Sequence, residues 1–176
     1  MSQPVKQILQ FIFFVLVQSL ILSDIPPIHR FITPYLYFLF LLWLPFAIAP
    51  SALLIWAFCL GFAVDLFTQT PGLHASACLI VAILRPMLVS LLMPGDAKAL
   101  ALGSPSIRTM GFSAYALFVA LLTLFHHVWL VMLEWMNLGS LLYFMGKVVA
   151  TTAISLVLVL VVELLFRPLR QNQPRW

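Results

Sequence analysis

Residues 53–67 read LLIWAFCLGFAVDLF and residues 76–92 read SACLIVAILRPMLVSLL, and each of these apolar runs carries one ionisable residue, Asp65 and Arg85. A run of roughly 18–20 apolar residues crosses the ~30 Å hydrocarbon core of a bilayer as a helix. A charge at that depth costs roughly 2.5 to 3.5 kcal/mol even on a lenient insertion scale, so it faces a protein interior or a partner rather than lipid. The two stretches together predict a membrane-embedded helical bundle with polar groups inside it.

The rest of the chain has the same character. Of its 176 residues, 64% are hydrophobic and 8% charged, where a soluble domain has about 45–50% and 25%. The expected fold is an all-α integral membrane protein, one domain over residues 1–176, with six transmembrane helices near residues 8–22, 34–48, 51–67, 73–92, 111–133 and 141–166. Gln18 and Ser19 form a polar step in the first span, and Asp24, Pro26 and Pro27 end it. No cleavage signature follows Leu22, so the span reads as a retained helix. Pro45 bends the second span and Pro50 opens the third. Thr68 to Gly72 is a tight turn by composition. The fourth helix is expected to kink at Pro86 and continue, because a stop at Arg85 would leave only ~20 Å. Residues 94–108 form the longest polar connection, and Glu134 to Gly139 a short turn.

Six spans put both ends on one side. Lys6, Lys98, Arg108, Arg167, Arg170 and Arg175 fall on that side and only Arg30 on the other. The excess of basic residues predicts that both ends are cytoplasmic. The same residues are too sparse to make nucleic acid an expected partner. Trp43, Trp56, Trp129, Trp135 and Trp176 are candidates for an interfacial belt. Cys59 and Cys78 read as small buried side chains.

Depth along each span predicts two polar layers. Asp65 would face Lys147 or His74 in the outer layer, and Glu163 would face Arg85 in the inner one. Lys147 and Glu163 also suit snorkelling to the headgroups. His126 and His127 point ~100° apart on a helix. With no His or Cys at i+3 or i+4, they predict no metal site. One histidine is expected inside the bundle and the other near the interface, with Glu134 in reach of His127. The chain has no H-E-x-x-H, G-x-S-x-G, phosphate loop or close carboxylate pair, so neither catalysis nor a cofactor is expected. Small residues on the fourth helix, Ala75 and Ala82 among them, and Gly111, Ser113, Ala114 and Ala116 on the fifth permit close helix approach. Ala75 and Ala82 are the candidate partner-helix interface. The evenly apolar sixth segment is expected to face lipid over most of its surface.

Gly61-Phe62-Ala63-Val64-Asp65-Leu66-Phe67, then Pro71-Gly72-Leu73-His74-Ala75-Ser76, then Leu84-Arg85-Pro86 resembles the rod shape-determining MreD family. That family shows G-x-x-x-D-L at the end of one helix, a P-G turn, and a small-residue helix closing on Arg-Pro. Gln18-Ser19 resembles its polar step, and His126-His127 with Leu133-Glu134 resembles one branch. The resemblance implies a non-catalytic inner-membrane subunit of the bacterial cell-elongation complex, located in the cytoplasmic membrane with lipid around it. It implies binding to MreC, a single-span periplasmic coiled-coil protein. Through MreC it implies links to the filament protein MreB, a SEDS-type glycosyltransferase and a class B penicillin-binding protein. The implied fold is similar to the substrate-binding subunits of energy-coupling-factor transporters. The alternative function is such a transporter subunit, with a polar pocket built from Asp65, His74 and Lys147; a shared fold does not decide between them. The structural and interaction residues to locate are therefore Gln18, Gly61, Asp65, Pro71, Gly72, His74, Arg85, Pro86, Lys147 and Glu163.

Overall fold

The computed structural model describes residues 3–23, 33–93, 95, 103–135 and 140–166. The expected connection with Asp24, Pro26, Pro27, His29 and Arg30 lies outside these residues, as do Lys98, the turn at 136–139, Arg167, Arg170, Arg175 and Trp176. Helix α1, Gln3–Leu16, runs directly into a π-helical stretch, Val17–Leu22. There follow α2 (Leu39–Trp43), α3 (Pro50–Thr68), α4 (Leu73–Leu92), α5 (Ile107–Met110), α6 (Phe112–Trp135) and α7 (Leu141–Phe166). Among the described residues, five helices are long and apolar enough to cross a membrane: Pro4–Leu22, α3, α4, Phe112–Glu134 and α7. The fourth span passes through Pro86 without a break, as its length required.

The expected second span is not a transmembrane helix. Between Pro34 and Pro50 only Leu39–Trp43 is α-helical. The prolines explain the interruption. A residue before proline is pushed out of the helical region; Leu44, before Pro45, has ψ 150°, and Ala49, before Pro50, has ψ 138°. Ten residues separate Pro34 and Pro45, and a helix of that length spans about 15 Å. This segment is nevertheless the centre of the molecule. Every residue from Tyr35 to Leu44 is buried, and Tyr37, Phe38, Leu39, Leu41 and Leu42 are fully enclosed.

Side-chain contacts set the direction of the legs. Gln18 bonds Pro34 and Leu36 while Phe14 meets Trp43, so the segment runs antiparallel to α1. Tyr37 meets His74 and Leu44 meets Arg85, so the segment runs along α4, and α3, the other arm of the tight turn, runs along α1. The turn at 69–72 reverses α4, and the partners of His74, Ser76 and Glu163 make α6 and α7 alternate again. Phe13 touches Phe166, so the later part of α1 lies beside the end of α7. Among the described residues six legs thus alternate, five of them long helices.

Helix α7 presents one buried stripe, Val148, Thr151, Ser155, Val159 and Glu163, spaced as one helical face. Its other faces are exposed and apolar, including Leu142, Val149, Leu160 and Leu165. Exposed side chains of this kind along α1, α3, α4 and α6 as well give the bundle the surface of a membrane protein. Cys78 is buried as expected, whereas Cys59 lies exposed on α3; both are free thiols.

Candidate functional site

Asp65 does not face Lys147. It sits near the end of α3 and accepts four hydrogen bonds, two from the turn and two from the first residues of α4. Oδ1 accepts from His74 N–H at 2.9 Å and the Thr70 hydroxyl at 3.1 Å, and Oδ2 accepts from the N–H groups of Gly72 and Ala75, both at 3.0 Å. A helix leaves its first four N–H groups without internal partners, and its N-terminus attracts negative charge. Asp65 answers both needs from the neighbouring helix. His74 is therefore a partner of Asp65 through its backbone, not its ring. The turn between them is tight because Gln69 and Gly72 adopt left-handed backbone, with φ 57° and 86°, and Pro71 precedes Gly72.

Gly61 lies one turn before Asp65, on the same face of α3. A Cβ there would overlap the backbone of His74 and Ala75. Gly61, Asp65, Pro71, Gly72 and His74 are thus parts of one hairpin. Ala75 and Ala82, the candidate partner-helix face, are buried inside the chain's own bundle, Ala75 against Gly61. They pack α4 internally.

The other polar residues converge on the buried segment, in two layers. At its upstream end the Gln18 carboxamide behaves as a peptide would. Its oxygen accepts from Leu36 N–H at 2.9 Å, and its nitrogen donates to the Pro34 carbonyl at 3.2 Å. The π-helical turn starting at Val17 contains both Gln18 and Ser19, and Gln18 is buried; such widened turns commonly occur at functional positions. Tyr35 N–H donates to the Ser155 hydroxyl at 3.1 Å, which also lies 3.3 Å from His127 Nε2. The Tyr37 hydroxyl bridges His74 Nδ1 at 2.9 Å and His126 Nε2 at 2.8 Å. His126 Nδ1 has no partner. The orphan is cheaper as a lone pair than as a buried N–H, which assigns the proton of His126 to Nε2 and has Tyr37 donate to His74. Both His126 and His127 are fully buried, so neither sits at the interface.

At the downstream end Arg85 donates to the carbonyls of Leu44 and Pro45, not to Glu163. Its position one residue before Pro86 puts the guanidinium at the point where the segment leaves its short helix. Glu163 instead accepts the Trp43 indole N–H at 2.5 Å and the Tyr115 hydroxyl. Glu163 is buried, so it does not snorkel, and Trp43 is a core residue rather than part of a belt. Gly103 O accepts from Phe46 N–H at 3.0 Å.

No lipid-exposed irregular backbone survives in hydrocarbon, because each unmade hydrogen bond costs several kcal/mol. Gln18 of the π-helical stretch, Arg85 of α4 and Ser155 of α7 supply such bonds to the interrupted segment. Tyr37, Tyr115 and Ser155 take part in this polar network and were not singled out from sequence, and Trp43, expected in an interfacial belt, joins it through Glu163. Replacing Gln18 by leucine keeps volume but strands one N–H and one carbonyl. It is expected to lower stability by about 2–4 kcal/mol, read as a shift of the denaturant midpoint in detergent.

Lys147 pairs with Glu134 across the α6–α7 turn, both side chains partly buried. His127 therefore does not hold Glu134. Reversing one charge is expected to cost more than the ~1 kcal/mol of an exposed pair and less than the ~3–5 kcal/mol of a fully buried one. The double exchange Lys147→Glu with Glu134→Lys should recover most of the loss in thermal stability. Asp65, His74 and Lys147 do not line a common pocket: Asp65 is occupied by α4, and Lys147 by Glu134. Among the described residues no three His, Cys, Asp or Glu side chains gather as metal ligands. Comparison of the chain with models of known families, with curated proteins and with solved structures gave no match.

Proposed function

We propose that this protein is a non-catalytic scaffold or regulator in the bacterial cell-elongation machinery. It lies in the inner membrane with both ends cytoplasmic and binds MreC. The observation that carries the reading is the joint use of the residues on which the MreD resemblance rests. Gly61, Asp65, Pro71, Gly72 and His74 build one hairpin, and Arg85 and Gln18 hold the buried segment against it. Ionisable groups inside the bundle serve architecture, which suits a rigid platform that positions a partner. The alternation of six legs supports ends that share one side.

MreC connects the platform to MreB, the SEDS-type glycosyltransferase and the class B penicillin-binding protein. The test is depletion in the native cell together with capture of the tagged protein. Rounded cells and recovery of the coiled-coil partner are the expected pair of results. Unchanged rods with no such partner in the captured material would reject the reading.

A further inference from the structure

Beyond any scaffolding role, the bundle carries a groove with apolar walls and a basic mouth where α1 meets the end of α7. It encloses about 180 Å³ and is walled by Leu9, Phe13 and Phe14 of α1, by Trp43 and by Phe166. Phe13 packs on Phe166 and Phe14 on Trp43, with ring centroids 5.8 and 5.5 Å apart, so the wall is largely aromatic. The Trp43 indole N–H is turned to Glu163, which leaves the ring to line the groove. Leu9, Phe13 and Phe166 are exposed, so the groove opens on the apolar outer surface of the bundle. From Lys6 to Phe13 α1 rises about 10 Å. A groove of that length and volume admits a stretch of one alkyl chain but not a helix, which is ~10–12 Å across.

The mouth carries charge of one sign. Lys6 and Gln10 line it, four residues apart on one face of α1. Lys6 is exposed and makes no ion pair among the described residues. It lies at the start of the span Pro4–Leu22, the level from which a lysine reaches the headgroups. The chain has no acid before Asp24 and none after Glu163, whereas Arg167, Arg170 and Arg175 follow Phe166. Glu163 itself is buried and accepts from Trp43 and Tyr115. The two elements that form the mouth thus offer positive charge without an exposed acid. An ammonium above an apolar channel matches the two parts of an anionic phospholipid, a phosphate at headgroup level and an acyl chain below it. A choline lipid carries no net charge for Lys6 to neutralise.

We infer that the groove holds an anionic glycerophospholipid, its phosphate paired with Lys6 and one acyl chain laid along Phe13, Phe14 and Trp43. The test uses the full chain in nanodiscs of equal phosphatidylglycerol and phosphatidylcholine, then counts retained lipid by native mass spectrometry. Phosphatidylglycerol is expected to be retained about fivefold over phosphatidylcholine, the factor that one lysine beside an anionic headgroup supplies. Lys6→Gln should bring the ratio close to one, and Lys6→Arg should keep it. Leu9→Trp, at an exposed position that lines the groove, should cut the amount of phosphatidylglycerol retained while Lys6 is still present. Equal retention of the two lipids by the unaltered protein would overturn the inference. So would an unchanged ratio in Lys6→Gln, which would assign the preference to the arginines after Phe166, or undiminished retention by Leu9→Trp. A photocrosslinker at Phe13 in native membranes is expected to capture lipid; capture of a protein in its place would reject the lipid as occupant.

Discussion

Replacing Asp65 by alanine is expected to remove about 4 kcal/mol or more of stability, the largest loss from any single polar residue in the bundle. The change strands two buried N–H groups, one part-buried N–H and one part-buried hydroxyl, and each buried donor left unpaired costs ~1–3 kcal/mol. It also removes a negative charge from a helix N-terminus, worth up to ~2 kcal/mol when partly buried. Neighbouring donors relax together, so the sum is an upper bound. Asp65→Asn keeps one accepting oxygen and should lose about half as much. Steric trapping in bicelles measures both variants. A loss below ~1 kcal/mol for alanine would mean that α4 does not depend on its neighbour for its first turn.

Gly61→Leu is expected to abolish the folded protein, and Gly61→Ala to weaken it by about 2–3 kcal/mol, the upper range for forced overpacking. The atoms in the way are backbone, the carbonyl of His74 and the Cα of Ala75, so no side-chain rotation relieves the overlap. The first turn of α4 must shift, and that shift pulls the same N–H groups away from Asp65. Gly61→Ala and Asp65→Ala should therefore be less than additive, with a coupling of about 1–2 kcal/mol in a double-mutant cycle. Strict additivity would separate the two residues into independent roles.

The long helices were legible because their apolar runs match the thickness of a bilayer and their ends carry prolines, glycines and charges. Asp65 and Arg85 were legible as interior groups for the same reason. Their partners were not. Charge invites pairing with charge, so Asp65 was matched to Lys147 or His74 and Glu163 to Arg85. Inside the bundle the acceptors and donors in greatest supply are backbone groups freed by an interrupted helix. The warning lay in the positions of Pro34, Pro45 and Pro50, which leave too few residues for a crossing helix. The length of the apolar run outweighed that signal. Gly61 and Asp65, four residues apart, share a helix face, but only the fold shows that both meet the start of α4. Ala75 and Ala82 read as a docking face because small residues favour helix contact; the contact they make is within this chain. Lys147 and Glu134 are 13 residues apart across a short turn, a pairing that antiparallel neighbours make readily.

Carbon chemical shifts of residues 33–49 in lipid bilayers, read by solid-state NMR on the unaltered protein, bear most directly on why polar groups populate this bundle. Helical shifts confined to the neighbourhood of Leu39–Trp43, with extended values at Leu44 and Ala49, are expected. Unbroken helical shifts from Pro34 to Ile48 would contradict the account, because Gln18, Arg85 and Ser155 would then have no open backbone to serve.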